Sequence, residues 1–335
     1  MQLQLPPPPT LWHTSQERFH KAHSMTELIR RLTGFSLLLL LLLLCGPLAV
    51  NPQICAAQES PSEPVQSEPV QSEPVQSDPA QREIARPIRA ERNLLVRTVM
   101  GIDVKADLFR PDDEAVYPLV IVIHGGAWSA GDKWQVGDHA RELAQAGFVA
   151  LAINYRLAPA HRLPDQIEDC RTALRWAAEQ APLWRADASR ICLWGYSAGG
   201  HLSALLATAP RADDPPICAV VAGGAPCDFE FLPAESPALA HVFGGTRADI
   251  PEVYQQASPI THVTTESPAF FLFHGEKDVV VPAASSQRMA QRLCELGVRS
   301  SYHLVPDRGH LLTFIDFNSR RSAIEFLRAH TMDTR

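Results

Sequence analysis

From residue 90 onward, short apolar runs alternate with longer stretches in which apolar positions recur every three or four residues. The first pattern reads as buried strand and the second as amphipathic helix. Strands are predicted over residues 94–99, 102–109, 119–123, 149–154, 191–194, 219–222, 269–273 and 301–305. Helices are predicted over residues 137–146, 165–180, 200–207, 285–296 and 319–330. Leu119-Val120-Ile121-Val122-Ile123 and Phe270-Phe271-Leu272-Phe273 lack a polar face, as expected of parallel strands covered on both sides. In the second predicted helix Ile167, Cys170, Ala173, Leu174 and Ala177 share one face. Gly147 and Gly297 stand where C-terminal caps belong. The alternation predicts an α/β domain over residues 90–335. It has a mainly parallel sheet of about eight strands with helices on both faces, begun by an antiparallel hairpin at Gly101.

The first 89 residues follow other patterns. Arg30-Arg31 precedes an apolar run from Phe35 to Val50, with leucine at every position from Leu37 to Leu44. A positive flank before such a run is an export signal, and Cys55-Ala56-Ala57 offers a cleavage site. The run is shorter than the ~20 residues of a spanning helix and is broken at Gly46-Pro47, so residues 1–57 read first as a cleaved leader. An uncleaved membrane tether is the alternative, and lipidation at Cys45 is disfavoured by the bulky Leu44 before it. Initiation at Met25 would give an n-region of ordinary length, Met-Thr-Glu-Leu-Ile-Arg-Arg. Residues 58–89 form a linker whose segment from Ser62 to Gln81 repeats Ser-Glu-Pro-Val-Gln and ends in Ser-Asp-Pro-Ala-Gln. With proline every fifth position it cannot bury a core and is expected to be an extended tether, as a spacer or an inert repeat.

The formal charge of −7 comes without a basic block, which argues against nucleic acid as a partner. Of seven cysteines, Cys170, Cys192, Cys218, Cys227 and Cys294 fall in the domain. Their number is odd and no spacing suggests a metal site; Cys192 and Cys218 read as small hydrophobes in strands.

Gly195-Tyr196-Ser197-Ala198-Gly199 lies between a predicted strand and a predicted helix. That context makes Ser197 a candidate nucleophile on a tight strand–turn–helix elbow. A serine that attacks a carbonyl also needs donors where negative charge develops. His124-Gly125-Gly126-Ala127-Trp128, after the strand at 119–123, supplies them, with the N–H groups of Gly125, Gly126 and Ala198 as the expected oxyanion hole. An imidazole must take the serine proton and a carboxylate must orient it. Asp278 follows the strand at 269–273 and is preferred over Glu276 as the acid; His310 follows the last strand and is preferred over His274 and His303 as the base. Trp128 and Tyr196 flank these residues as candidate substrate contacts or as packing.

Together these segments, with Asn154-Tyr155-Arg156-Leu157-Ala158-Pro159 and Ser258-Pro259-Ile260, resemble the bacterial esterase branch of the α/β-hydrolase fold. That branch includes the hormone-sensitive-lipase-like carboxylesterases and the feruloyl-esterase-like hydrolases. The former usually carry an acidic residue where this chain has Tyr196, and a third glycine where it has Ala127, so both departures favour the feruloyl-esterase-like side. The resemblance implies a structural pairing of Tyr155-Arg156 with Asp169. Few residues separate the entry strands from the oxyanion loop, so a helical cap is expected to be small or absent. Residues 228–256, rich in helix breakers, are either a partial lid carrying Phe229, Phe231, Leu232 and Phe243 or docked core. The expected activity is an exported serine carboxylesterase acting on a small-molecule ester without metal or organic cofactor. Hydrolysis of an amide or formamide by the same triad is the alternative, and a non-catalytic binding protein is opposed by the complete Ser197, Asp278, His310 set.

Overall fold

The protein is described by a computed structural model over residues 86–331. The expectations for the leader, Met25, Cys45, Cys55 and the Ser62 to Gln81 repeat lie outside the described residues. All eight predicted strands are present: β1 (Ile88–Val99), β2 (Ile102–Pro111), β3 (Tyr117–Ile123), β4 (Val149–Ile153), β5 (Ala186–Tyr196), β6 (Ile217–Gly223), β7 (Ala269–Gly275) and β8 (Ser300–Val305). They form one sheet in the order β1-β2-β4-β3-β5-β6-β7-β8. The β1–β2 and β2–β4 pairs are antiparallel and the remainder are parallel.

The helices are α1 (Gly137–Gln145), α2 (Asp165–Trp184), α3 (Ala198–Thr208), α4 (Pro237–Phe243), α5 (Pro251–Ala257), α6 (Ala284–Glu295), α7 (His310–Phe314) and α8 (Phe317–Thr331). Side chains of the central strands divide between the two faces with period two. Leu119, Ile121 and Ile123 of β3 pack with Leu174 of α2, Leu202 of α3 and Leu293 of α6. Val120 and Val122 pack with Leu143 of α1 and Leu327 of α8 on the other face. This is the α/β-hydrolase architecture that the sequence implied. Among the described residues no helix is long and apolar enough to cross a membrane.

The expected C-terminal caps formed as Schellman turns. After α1, Gly147 N–H donates to Ala144 O and Phe148 N–H to Leu143 O; after α6, Gly297 and Val298 repeat the pattern on Cys294 and Leu293. Some boundaries differ from the pattern. β1 begins at Ile88 rather than residue 94, because its first half is an exposed edge segment carrying Arg89, Glu91 and Arg92, with register shifts and no apolar alternation. β5 likewise extends back through the polar Asp187-Ala188-Ser189-Arg190. Residues 228–256 are more regular than their prolines suggested. Pro237 and Pro251 open α4 and α5 at positions where proline has no helical N–H to lose, with Ser236 capping α4 and Gly244 ending it.

Polar groups in the core tie these layers together. Asp169 in α2 is fully buried and accepts from Arg156 N (2.9 Å), Nε (2.8 Å) and a terminal guanidinium nitrogen (3.1 Å), the pairing expected from the resemblance. Arg97 of β1 adds a contact at 3.3 Å. Three of the buried histidines pack against elements distant in sequence. His124 stacks on Tyr155 with centroids 4.3 Å apart, His139 stacks on Phe314 at 4.7 Å, and His201 donates from Nε2 to Ala257 O at 2.8 Å. Burial pushes each of their pKa values down to about 4.

Two measurements follow from these groups. Replacing Asp169 with Ala leaves the buried Arg156 guanidinium only its half-exposed partner Asp165 at 3.2 Å and should destabilise the fold by about 3–5 kcal/mol, read as a lower urea midpoint; a loss below about 1 kcal/mol would contradict the role of the pair. Between about pH 4 and 6.5 the unfolded chain binds protons on these three histidines that the folded chain does not. Stability is therefore full above about pH 6.5 and falls as pH drops towards 4, with a slope of up to about 1.4 kcal/mol per pH unit for each histidine. Urea midpoints that stay flat from about pH 7 to about pH 5 would refute the buried neutral state.

Candidate active site

β5 runs into a turn whose tip is Ser197, at φ 55° and ψ −123°. A left-handed backbone at a residue with a Cβ is strained and persists only where its surroundings enforce it. Here Ser197 N–H donates to Gly223 O of β6 at 2.8 Å, and Ser197 O accepts from His201 N–H at 2.9 Å. A Cβ on Gly195 would stand 2.1 Å from Gly199 O, and one on Gly199 would stand 2.1 Å from Ile123 O, so the strand and helix can close on the serine only with glycine at both places. α3 begins at the next residue and directs its unpaired N-terminal N–H groups and positive dipole end at the turn.

The loop after β3 lies against this elbow. A Cβ built on Gly125 would be 3.4 Å from Ser197 Cβ, which places the Gly125 backbone beside the nucleophile. Gly126, at φ 115°, turns its carbonyl to accept from Ser129 and Ala130 N–H at 3.1 and 2.9 Å. Among the described residues the N–H groups of Gly125, Gly126 and Ala198 donate to no protein acceptor, the state an oxyanion hole requires. The loop is braced from behind. Tyr155 OH donates to His124 O at 3.1 Å and Trp128 Nε1 donates to His201 Nδ1 at 3.0 Å. Downstream, Asp132 and Gln135 form a capping box on the 3-10 turn Lys133–Val136.

Asp278 and His310 meet across the ends of β7 and β8. His310 Nδ1 donates to Asp278 Oδ2 at 2.5 Å. The other carboxylate oxygen accepts from Val280 and Val281 N–H, both at 2.9 Å. Buried His274, whose Nε2 donates to Val281 O at 2.8 Å, also brings that nitrogen within 3.2 Å of Asp278 Oδ2. Burial alone would raise the Asp278 pKa, but the hydrogen bonds from His274 and His310 outweigh it and hold the carboxyl well below the usual range. Glu276 instead accepts from Asp307 N–H at 3.0 Å, and His303 lies within β8. Asp278 is thus the carboxylate joined to His310.

Ser197, His310, Gly125 and Gly126 open on one cavity of about 280 Å³. Its walls are otherwise largely apolar, including Trp134, Val136, Val280, Leu311 and Phe314. None of these five was singled out from the sequence, because they come from three separate segments without a motif. Trp134, 61% exposed, stands out as the large aromatic of this wall most open to solvent. The Ser197–His310 hydrogen bond is not formed here, although such contacts tighten when substrate binds. Tyr196 borders the cavity, but its hydroxyl donates to His310 O at 2.6 Å. Trp128, expected near substrate, is 5% exposed and lies outside the cavity wall, because its indole is bonded to His201 and packed on Phe229 and Phe243. Phe229 and Phe243 are buried in that same cluster, so they are docked core rather than an acyl lid, and only Phe231 is exposed. Among the described residues no three His, Cys, Asp or Glu side chains converge as a metal site.

Comparison with known proteins places this geometry in a lineage. The chain is 34% identical to Esterase LipC of Mycobacterium tuberculosis over 219 residues, covering 59% of this chain and 54% of the relative. It is 33% identical over 202 residues to the probable carboxylic ester hydrolase LipM of the same organism, covering 55% and 47%. The chain therefore spans about half the length of these curated relatives. Among solved structures, a truncated carbohydrate esterase from gut microbiota superposes with a TM-score of 0.69 at 23% identity, over 75% of this chain and 99% of the other. A bacterial heroin esterase superposes with a TM-score of 0.63 at 24% identity, over 75% and 86%. At these identities the structures establish the fold. The BD-FAE family model matches residues 106–293, which include Ser197 and Asp278 and stop short of His310. That match covers more than half of the sequence, and the chain belongs to the BD-FAE family.

Proposed function

We propose that the protein is a serine carboxylesterase that cleaves a small-molecule carboxylic ester through an acyl-enzyme on Ser197. The observation that carries this reading is the convergence of Ser197, the paired His310 and Asp278, and the unpaired N–H groups of Gly125 and Gly126 at one cavity. Because Nδ1 of His310 is committed to Asp278, Nε2 is the nitrogen left to take the serine proton. Ser197 Oγ then bonds to the ester carbonyl carbon, and the carbonyl oxygen gains the charge that the Gly125, Gly126 and Ala198 N–H groups receive. Collapse of this intermediate breaks the C–O bond, and the imidazolium passes its proton to the departing alcohol. Water, deprotonated by the same nitrogen, releases the acid and restores the serine. The esterase names of the relatives support an ester rather than an amide substrate. The apolar run behind Arg30-Arg31 supports export, with the proline repeat as a spacer from any membrane tether.

A panel of short and long p-nitrophenyl esters, feruloyl and acetylated-sugar esters, N-formylkynurenine and a peptide amide tests this with wild type and Ser197→Ala. Wild type should turn over at least one ester, and the variant should lose roughly 10⁴- to 10⁶-fold in kcat. Equal turnover by both would discard Ser197 as the nucleophile. A wild type that cleaves only the formamide or the peptide would move the assignment to C–N bonds.

A further inference from the structure

The residue before the nucleophile has a role that its position in the turn does not reveal. Tyr196 is 5% exposed, and its ring packs 5.1 Å from the His310 ring and 5.2 Å from that of Phe314. Its hydroxyl donates to the backbone carbonyl of His310 at 2.6 Å. That carbonyl belongs to the first residue of α7, a helix of five residues whose next two side chains, Leu311 and Leu312, are each about half exposed. The backbone of the base therefore rests on a short element with little of its outer face buried. On its inner side, Thr313 is fully buried and its hydroxyl donates to Gly309 O at 3.0 Å. The imidazole end of His310 is fixed by Asp278, and the main-chain end is fixed by Tyr196.

We infer that Tyr196 is a positioning residue, whose phenol ties the base-bearing helix α7 to the nucleophile turn so that His310 Nε2 stays registered on Ser197. The inference rests on the proposed roles of Ser197 and His310. Tyr196 precedes the strained serine directly and bonds the base across 114 positions of sequence, so the turn and the helix move as one body. Without the hydroxyl, α7 keeps its aromatic packing but loses this link. Displacement of a base by about 1 Å costs on the order of 10²-fold in rate.

The test compares Tyr196→Phe, which removes the oxygen alone, with Tyr196→Leu, which removes the ring as well. Kinetics use a p-nitrophenyl ester turned over by wild type, with His310→Ala as reference and thermal midpoints for each protein. Tyr196→Phe should lower kcat by about 10- to 100-fold with KM within about twofold, while the midpoint falls by only about 2–4 °C. Tyr196→Leu should lose at least as much kcat. Tyr196→Phe with kcat within about twofold of wild type would overturn the inference, and an impaired Leu variant beside it would make Tyr196 packing alone. A raised KM at unchanged kcat would also overturn it, by making Tyr196 a substrate contact. If His310→Ala retained wild-type turnover, the assignment of the base would fail; if it is inactive while Tyr196→Phe is unaffected, only the positioning role fails.

Discussion

A serine held in a left-handed backbone conformation, with its strand and its helix pressed together on either side, is the constraint around which this domain is arranged. The strain at Ser197 is sustained because β5 is covered on both faces and paired on both edges, by β3 and β6. Its neighbours contribute directly, with Gly223 of β6 accepting the serine N–H and Ile123 of β3 passing so close to Gly199 that no side chain fits. The nucleophile is therefore supported by the stiffest part of the sheet. The groups proposed to serve it come from segments at the same strand ends: the Gly125–Gly126 loop after β3, Asp278 after β7 and His310 after β8.

Each of those loops is held by contacts behind the chemistry. The oxyanion loop is fixed through the Trp128 indole on His201 and the Tyr155 hydroxyl on His124 O. The acid is fixed by two amides and two imidazoles, which also keep it ionised in a buried place. Such preorganisation lets a transition state meet charges already in position, and the reorganisation that water would require is avoided.

Much of this was legible in the sequence because the signals were local. Uninterrupted apolar runs marked the covered strands, and the proposed triad of Ser197, Asp278 and His310 stood at strand ends in the order the fold demands. The Asp132 to Gln135 spacing is likewise a capping box that can be read directly. What escaped lacked a local signal. The first half of β1 does not alternate, since residues 89–93 are exposed whichever face they point to. Proline at N1 of α4 and α5 looks the same in sequence as proline that breaks a helix. Trp128 adjoins the oxyanion glycines in sequence, yet its positive φ of 57° points it inward to His201 and Phe229. The cavity wall could not be read because Trp134, Val280 and Leu311 are brought together only by the tertiary fold.

The composition of that wall has a bearing on how such a protein can diversify. Residues 228–257 are bolted to the core through Phe229, Phe243 and the Ala257–His201 bond, so they do not form an interchangeable roof above the cavity. Trp134 lies on the 3-10 turn that follows the Gly125–Gly126 loop, Val280 lies two residues from Asp278, and Leu311 directly follows His310. On the proposed mechanism, selectivity and turnover are thus encoded in the same three segments. A change that reshapes the cavity must be absorbed by backbone that also holds the reacting groups, and new substrate preferences in this scaffold should arise through small compensated steps rather than by exchange of a module.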